Sequence, residues 1–330
     1  MIGLKDVAQA CGLSVTQVSR ALNGKSDVSL ATRERVERVA AQIGYVKNLT
    51  AQSLSSKQSN QLAVIIRGLD GKRESTSFVI DAIRGINAFA RQNGYETVVH
   101  FIEEIPESYE SYCRQRGVGG MMLFNVNFND ESFIRLQESS FPCVGIDMAM
   151  SGENKGCVIV NNANYTTLAM QQLIKRGRKK IALIAGDPGA FVTIERQSGY
   201  EMALRQAGME PDPKLMGCGE FRLEDARSET LRLMKESPDI DGFFCMSDLM
   251  AIGTIDALNS LGYKLPEQVS IFGFDGLPLT DYIHPVLSTI KQDHIKKGYH
   301  AARLLTQIMR GEQDERTVVL PCELWLRESL

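Results

Sequence analysis

The chain has 330 residues, too many for one small domain and suited to two or three. With 43% hydrophobic and 23% charged residues it has the composition of a soluble globular protein with sizeable cores, and no run approaches the length of a membrane span. The net charge of −3 hides an asymmetry: residues 1–60 hold eight Lys and Arg against four Asp and Glu, so a +4 head precedes a −7 body, which suits a protein that offers only its N-terminus to a polyanion.

Leu4–Gly24 reads as two short helices with a tight turn between them. Ala8 is small where the helices would cross, and Gly12 can take the positive φ of a sharp turn. Ser14 and Gln17 have capping-box spacing, so Ser14 starts the second helix. Val18 then points back at Val7 and Ala8. This pattern is a helix-turn-helix, whose second helix enters the DNA major groove. Ser29 caps a third helix, along which Val36, Val39, Ala40 and Ile43 share one face. Gly44 ends it as a C′ residue.

Asn48–Asn60 follows. Its second half is polar and Ser-rich, as a linker is; its first half has helix formers for two turns but not the length to hold them unaided. Such a segment can be ordered by DNA.

From Leu62 strands alternate with helices. Runs at Leu62–Ile66, Thr97–Ile102, Gly120–Val126, Pro142–Asp147, Val158–Asn161, Lys180–Ala185, Gly242–Met246 and Val269–Phe274 have strand character. Helices are predicted at Ile80–Asn93, 163–176, 193–207, 224–236 and 249–261. The alternation implies parallel sheets with right-handed crossovers, and so many strands divide more naturally into two lobes than one sheet.

Seven cysteines, an odd number without metal-ligand spacing, are expected to be buried thiols. The four histidines form no metal motif, so no metal and no cofactor is expected. Met1 leads almost directly into a polar helix without a signal peptide, which places the expected compartment in the cytoplasm. Nothing resembles a P-loop, a dinucleotide fingerprint or a nucleophile elbow, so an enzyme is the disfavoured alternative. A solute-binding receptor for transport would lack the DNA-binding head.

Leu4–Gly24, Gly44-Tyr45, Arg196-Gln197-Ser198-Gly199-Tyr200, Ser247–Gly253, Ser270–Asp275 and Pro285–Gln292 together resemble the lactose-repressor/galactose-repressor (LacI/GalR) family of bacterial transcription regulators. The likeness runs from Leu4 to Arg327-Glu328-Ser329. It implies an α/β protein: a three-helix helix-turn-helix head (1–46), a hinge helix and linker (47–60), then a two-lobed core with parallel sheets, like periplasmic binding proteins (61–330). The N-lobe would take about 61–160 and 292–320, the C-lobe about 161–291 and 321–330. It further implies a homodimeric repressor on a pseudo-palindromic double-stranded operator, in the bacterial nucleoid, with no membrane partner. A small-molecule effector, a sugar in the first instance, would bind between the lobes.

At the DNA site the resemblance assigns base reading to Val15, Thr16 and Arg20, with Leu54 as a minor-groove wedge. Arg20 suits guanine, whose O6 and N7 meet a guanidinium fork. Val15 has core packing as its alternative, and so has Leu54. Leu4, Ser14, Gln17, Ser19, Asn23, Ser29, Thr32, Asn48 and Ala51 match positions on the DNA backbone, where contacts set register; Ser14 and Ser29 also cap. Asp27 is left out of the site, because an acid there repels phosphate. In the cleft, Arg196 would donate to hydroxyls or a carboxylate, Phe221 would stack on the ligand, and Asp275 would accept from hydroxyls. Asp248 is equally a helix cap, and Ser247 stands where relatives often have asparagine. Asp147 and Phe78 are weaker candidates, with core packing an even alternative for Phe78.

Overall fold

The computed structural model describes residues 2–22, 27–45, 59–68, 77–312 and 315–330. They fall into two compact units, residues 1–58 and 59–330.

The first unit holds α1 (Leu4–Cys11), α2 (Val15–Leu22) and α3 (Leu30–Gln42). Val7, Ala8, Cys11, Val18, Ala21, Val36 and Ala40 form its buried core, so α2 turns Val18 inward against α1 as its spacing predicts. Gly12 takes φ +64 at the turn, and Gly44 takes φ +74 after α3. The capping box forms: Gln17 N donates to Ser14 Oγ at 3.2 Å and Ser14 N to Gln17 Oε1 at 3.0 Å. Ser29 Oγ accepts from Thr32 N and starts α3. One capping bond that the sequence reading passed over runs from Gly3 N to Asp6 Oδ2 at 2.7 Å.

The second unit contains two six-stranded sheets. The first comprises β1 (Gln61–Arg67), β2 (Glu96–Ile102), β3 (Gly120–Phe124), β4 (Cys143–Ile146), β5 (Lys155–Val160) and β11 (Thr317–Leu320), in the order β11-β5-β4-β3-β1-β2. The second comprises β6 (Ile181–Ala185), β7 (Met216–Cys218), β8 (Gly242–Cys245), β9 (Ser270–Asp275), β10 (Ser288–Lys291) and β12 (Glu323–Trp325), in the order β12-β10-β9-β8-β6-β7. The pairings are parallel except β12 against β10. The inner strands are buried on both faces, which is why they read as continuous apolar runs rather than alternating ones.

α4 (Ser77–Gln92), α5 (Tyr109–Gln115), α6 (Glu131–Glu138) and α11 (His294–Arg310) accompany the first sheet; α7 (Asn162–Lys175), α8 (Phe191–Gln206), α9 (Leu223–Glu236) and α10 (Asp248–Ser260) accompany the second. The chain passes between the sheets at residues 160–162, 291–294 and 320–323. Both sheets have the same order around their first two strands: β1 lies between β2 and β3, β6 between β7 and β8. The crossover connections therefore diverge at β1/β3 and β6/β8, and the crevice beyond the carboxyl ends of such strands is where α/β sheets bind ligands. Two sheets present those ends to one cavity.

All seven cysteines are free thiols. Five are buried, but Cys322 is half-buried and Cys218 is exposed, which corrects the expectation of uniform burial. Cys218 ends the short strand β7, and its thiol is pushed up to about 11, first by local burial and then by its bond to Glu220.

α4 and α11 meet through two glycines. A methyl group on Gly298 would collide with the Ala82 carbonyl oxygen, and one on Gly85 with the Ile295 carbonyl oxygen. Backbone lies on the far side of each contact, so no side-chain rotation relieves it. Gly298→Ala is expected to cost about 3 kcal/mol through overpacking, read as a lower urea midpoint with an unchanged m-value; an unchanged midpoint would show that the helix pair yields freely.

Candidate functional site

A cavity of about 240 Å³ lies between the two sheets of the core. Its walls come from strand ends: Arg67 and Gly68 at the end of β1, Asn125–Asn127 after β3, Ile146–Met148 at β4, Asp187 after β6, Phe221 after β7, Ser247 after β8 and Asp275 at the end of β9. Phe78 of α4, Ala190–Val192 and Arg196 at α8, Gln292, and His294 of α11 complete it. Several of these turns are strained. Asn125, Asp147 and Phe221 have φ between 55 and 59, and Asp275 has φ 120. Left-handed backbone at non-glycine residues costs about 1–3 kcal/mol each and clusters where side chains must be aimed.

A connected row of polar groups underlies the cavity. Arg196 is buried with its guanidinium 3.6 Å from the centre of the Phe274 ring. Its Nε donates to Asn162 Oδ1 at 2.9 Å, one Nη donates to the Met246 carbonyl, and the same group lies 3.8 Å from Asp275. Gln292 Nε2 donates to Asp275 Oδ1 at 2.9 Å. Lys297 Nζ donates to Gln292 Oε1 at 2.6 Å and to both Asp147 oxygens at 2.6 and 2.8 Å. The row thus runs from Asp147 at the first sheet to Arg196 beside the second, with Gln292 at the passage between them. A second pair, Arg67 to Asp130 at 2.7 Å, stands at the β1 end.

Burial dominates the electrostatics. It pushes the Asp275 carboxyl up to about 6 against the opposing pull of Arg196 and Lys297. Burial, with Asp275 next to it, holds Asp248 well above the usual carboxylate range. The His294 ring is pushed down to about 3 by burial and by the neighbouring Lys297 charge.

Six of the seven cleft residues chosen from the sequence line this cavity: Arg196, Phe221, Ser247, Asp275, Asp147 and Phe78. Asp248 does not. Its side chain is fully buried, accepting from Thr289 Oγ1 at 2.6 Å and Leu277 N at 2.7 Å, which ties α10 to the turn after β9. Nor is it the helix cap; that role belongs to Ser247, whose Oγ accepts from Met250 N. Phe221 packs so closely on Gly186 that a Cβ there would fall inside its ring. Arg67, Asn125, Asn127, Asp187, Gln292, His294 and the supporting Lys297 were not picked out. For Arg67, Asn125 and Asp187 a signal existed: each follows an apolar strand run in an α/β chain, where ligand groups gather. Lys297 gave none, since lysine is ordinarily exposed.

In the head, Val15 is 41% exposed, which disposes of the core-packing alternative. Thr16, Arg20, Ser14, Gln17 and Ser29 are also exposed, while Leu4, Ser19 and Thr32 are half-buried. Arg20 Nη2 pairs with Asp27 Oδ2 at 2.5 Å, both side chains half-exposed. Asp27, set aside as a repulsive acid, is therefore the group that holds Arg20. Asn23, Asn48, Ala51 and Leu54 lie outside the described residues.

Residues 3–48 match the model of the lacI family of bacterial regulatory proteins, and residues 170–330 that of a periplasmic binding protein-like domain. The HTH-type transcriptional regulator CelR of Thermobifida fusca is 30% identical over 99% of this chain and 97% of its own. The chain belongs to the lacI family of transcriptional regulators. The repressor CytR of Escherichia coli K12 is 29% identical over 99% of this chain and 95% of its own. Among solved structures, a CelR–cellobiose complex matches with TM-score 0.77 and 29% identity over the whole of both chains. The lac repressor dimer bound to operator and the anti-inducer ONPF matches with TM-score 0.84 and 25% identity over 99% of this chain and 98% of that one. The family's two-part build, a helix-turn-helix head followed by a binding-protein-like core, is the architecture described above. Among the described residues no helix is long and apolar enough to cross a membrane.

Lys297→Met leaves Asp147 and Gln292 without their buried cation. The expected cost is about 3 kcal/mol, the scale for stripping one partner from a buried pair, measured by chemical denaturation at pH 7. A loss below about 0.5 kcal/mol would mean that the row is not held together by this lysine.

Proposed function

We propose that this chain is a homodimeric repressor whose operator binding is controlled by a small-molecule effector, a sugar, held in the cavity between the core lobes. The observation that carries the reading is the cavity itself: carboxyl ends of two parallel sheets converge on it, and buried Arg196 and Gln292 with half-buried Asp275 present fixed hydrogen-bonding groups there. The cellobiose complex of one relative and the operator-bound dimer of another support the assignment of sugar and of assembly. The reading gives the chain no catalytic role.

Within it, residues 1–46 form the DNA-binding head, 47–60 the hinge, and the remainder the effector and dimerisation core. Val15, Thr16 and Arg20 read bases, and Leu54 wedges the minor groove. Leu4, Ser14, Gln17, Ser19, Asn23, Ser29, Thr32, Asn48 and Ala51 meet the DNA backbone. Asp27 holds Arg20 in a pair that guanine can displace, because the bidentate bond to O6 and N7 outweighs one exposed ion pair. Effector binding would change the angle between lobes and so order or release the paired hinges, to the extent that the two states bind effector differently.

A thermal-shift screen of sugars and nucleobases, with hits re-tested in operator binding by fluorescence anisotropy, tests the reading; hits that leave operator binding unchanged would sink it. On the operator selected from genomic fragments, Arg20→Ala is expected to lose about 10- to 100-fold in affinity, with much less change on unrelated DNA. Leu54→Ala should keep non-specific binding and lose most of the selectivity; equal selectivity in either variant contradicts its role.

The raised Asp275 carboxyl gives a pH signature. In the free protein the buried group favours its acid form, so its contribution to stability falls as pH rises from the ordinary carboxylate range through about 6. Effector hydroxyls that donate to Asp275 favour the ionised form instead. Effector affinity is therefore expected to rise from about pH 5 to about pH 7, and Asp275→Asn to be weak and flat across that range. Calorimetry at those two pH values decides it; identical slopes in the two proteins would assign the dependence elsewhere.

A further inference from the structure

We propose that His294 selects the effector, accepting a hydrogen bond from a hydroxyl of an uncharged polyol. The inference rests on reading the cavity as the effector site and names the chemistry that the site accepts. His294 opens α11 at the second passage between the lobes, lines the cavity, and stacks at a tilt on Phe78 with ring centres 5.6 Å apart. It is 8% exposed, and its Nε2 is buried without a protein partner. A buried polar atom left so is costly, and the arrangement persists where a ligand supplies the missing bond.

Burial beside Lys297 and Arg196 holds the ring neutral at physiological pH. A neutral ring carries one N–H and one lone pair, and the Asp275 backbone favours a ring proton. In this proposal the lone pair lies on unpartnered Nε2, which then needs a donor.

Arg67 supplies the complementary observation. It lines the same cavity, and its Nε, which can only donate, is also buried without a partner. Hydroxyl groups both donate and accept, so one polyol can meet an orphaned acceptor and an orphaned donor together. Carboxylates and phosphates accept only. They would leave Nε2 unmet, and they would find each neighbouring cation already facing an acid: Arg67 on Asp130, Arg196 near Asp275, Lys297 on Asp147. Asp187 adds one more carboxylate to the walls. Phe78 and Phe221 leave aromatic surface for the apolar face of a sugar ring.

The test is calorimetric titration of the full chain with cellobiose, glucose and galactose, and with glucuronate, galacturonate and glucose 6-phosphate as charged counterparts. The best neutral sugar is then titrated into His294→Phe and His294→Gln, each first shown to unfold cooperatively. Expected are binding of a neutral sugar, a loss of about ten-fold or more in His294→Phe, and retention within about three-fold in His294→Gln, whose amide oxygen restores the acceptor. Equal binding by His294→Phe overturns the proposal. A charged sugar that binds more tightly than every neutral one and shifts operator affinity also overturns it, while leaving effector control intact. If no probe binds and none shifts operator affinity, the proposal and the reading beneath it fall together.

Discussion

Arg196 is a guanidinium taken out of water, laid on the Phe274 ring and bonded to Asn162 and the Met246 carbonyl, with Asp275 as its nearest charge. Burying a charge in this way is costly unless every neighbour answers it. The answer is spread over both lobes, through Gln292 to Lys297 and Asp147. Because Gln292 sits at a passage between the sheets, a change in the angle of the lobes must stretch or re-form these bonds. In the proposed reading, a ligand on Asp275, Arg196 or Asp147 acts on bonds that run to this passage.

The strained turns serve the same end. Asp275 at φ 120 and Asp147 at φ 59 carry backbone geometry that side chains rarely adopt, and both are members of the row. Strand ends beneath them are rigid, buried on both faces and locked in parallel ladders. Rigidity below and strain above fix the carboxylates in place before a ligand arrives, so less ordering entropy is lost on binding. The head follows a different logic. Its core is small, and Arg20, the proposed base reader, pairs with half-exposed Asp27 in an ion pair of the kind that is worth little.

Much of this was legible from the residues. The helix-turn-helix rests on Gly12, Ser14, Gln17 and Val18, all local signals whose consequences appear within one turn of helix. Strand runs such as Leu62–Ile66 and Gly120–Phe124 are legible because a strand buried on both faces is apolar throughout. Arg196, Phe221 and Asp275 were found through resemblance rather than through pattern. What stayed hidden depends on long-range placement. Nothing local says that Lys297, on a helix of ordinary amphipathic pattern, is 1% exposed and 150 residues in sequence from its partner Asp147. Asp248 misled because an acid at a helix start reads as a cap, while Ser247 one residue earlier holds that role. The pairing of Asp27 with Arg20 was not foreseen, because the acid was weighed against phosphate alone. The exposed Cys218 departs from expectation because β7 is a short edge strand whose end lies open.

Effector and operator must be coupled if the buried row carries regulation, and coupling is reciprocal: DNA must alter effector affinity by the factor that effector alters DNA affinity. The most direct measurement is calorimetric titration of the best cavity ligand into the full chain, alone and saturated with operator. A change in its dissociation constant of about five-fold or more, matched by the shift in operator affinity, is the expected result. Equal affinity in the two titrations, with the ligand shown to occupy the cavity by its loss in Asp275→Asn, would contradict the claim that this row links the cavity to the head.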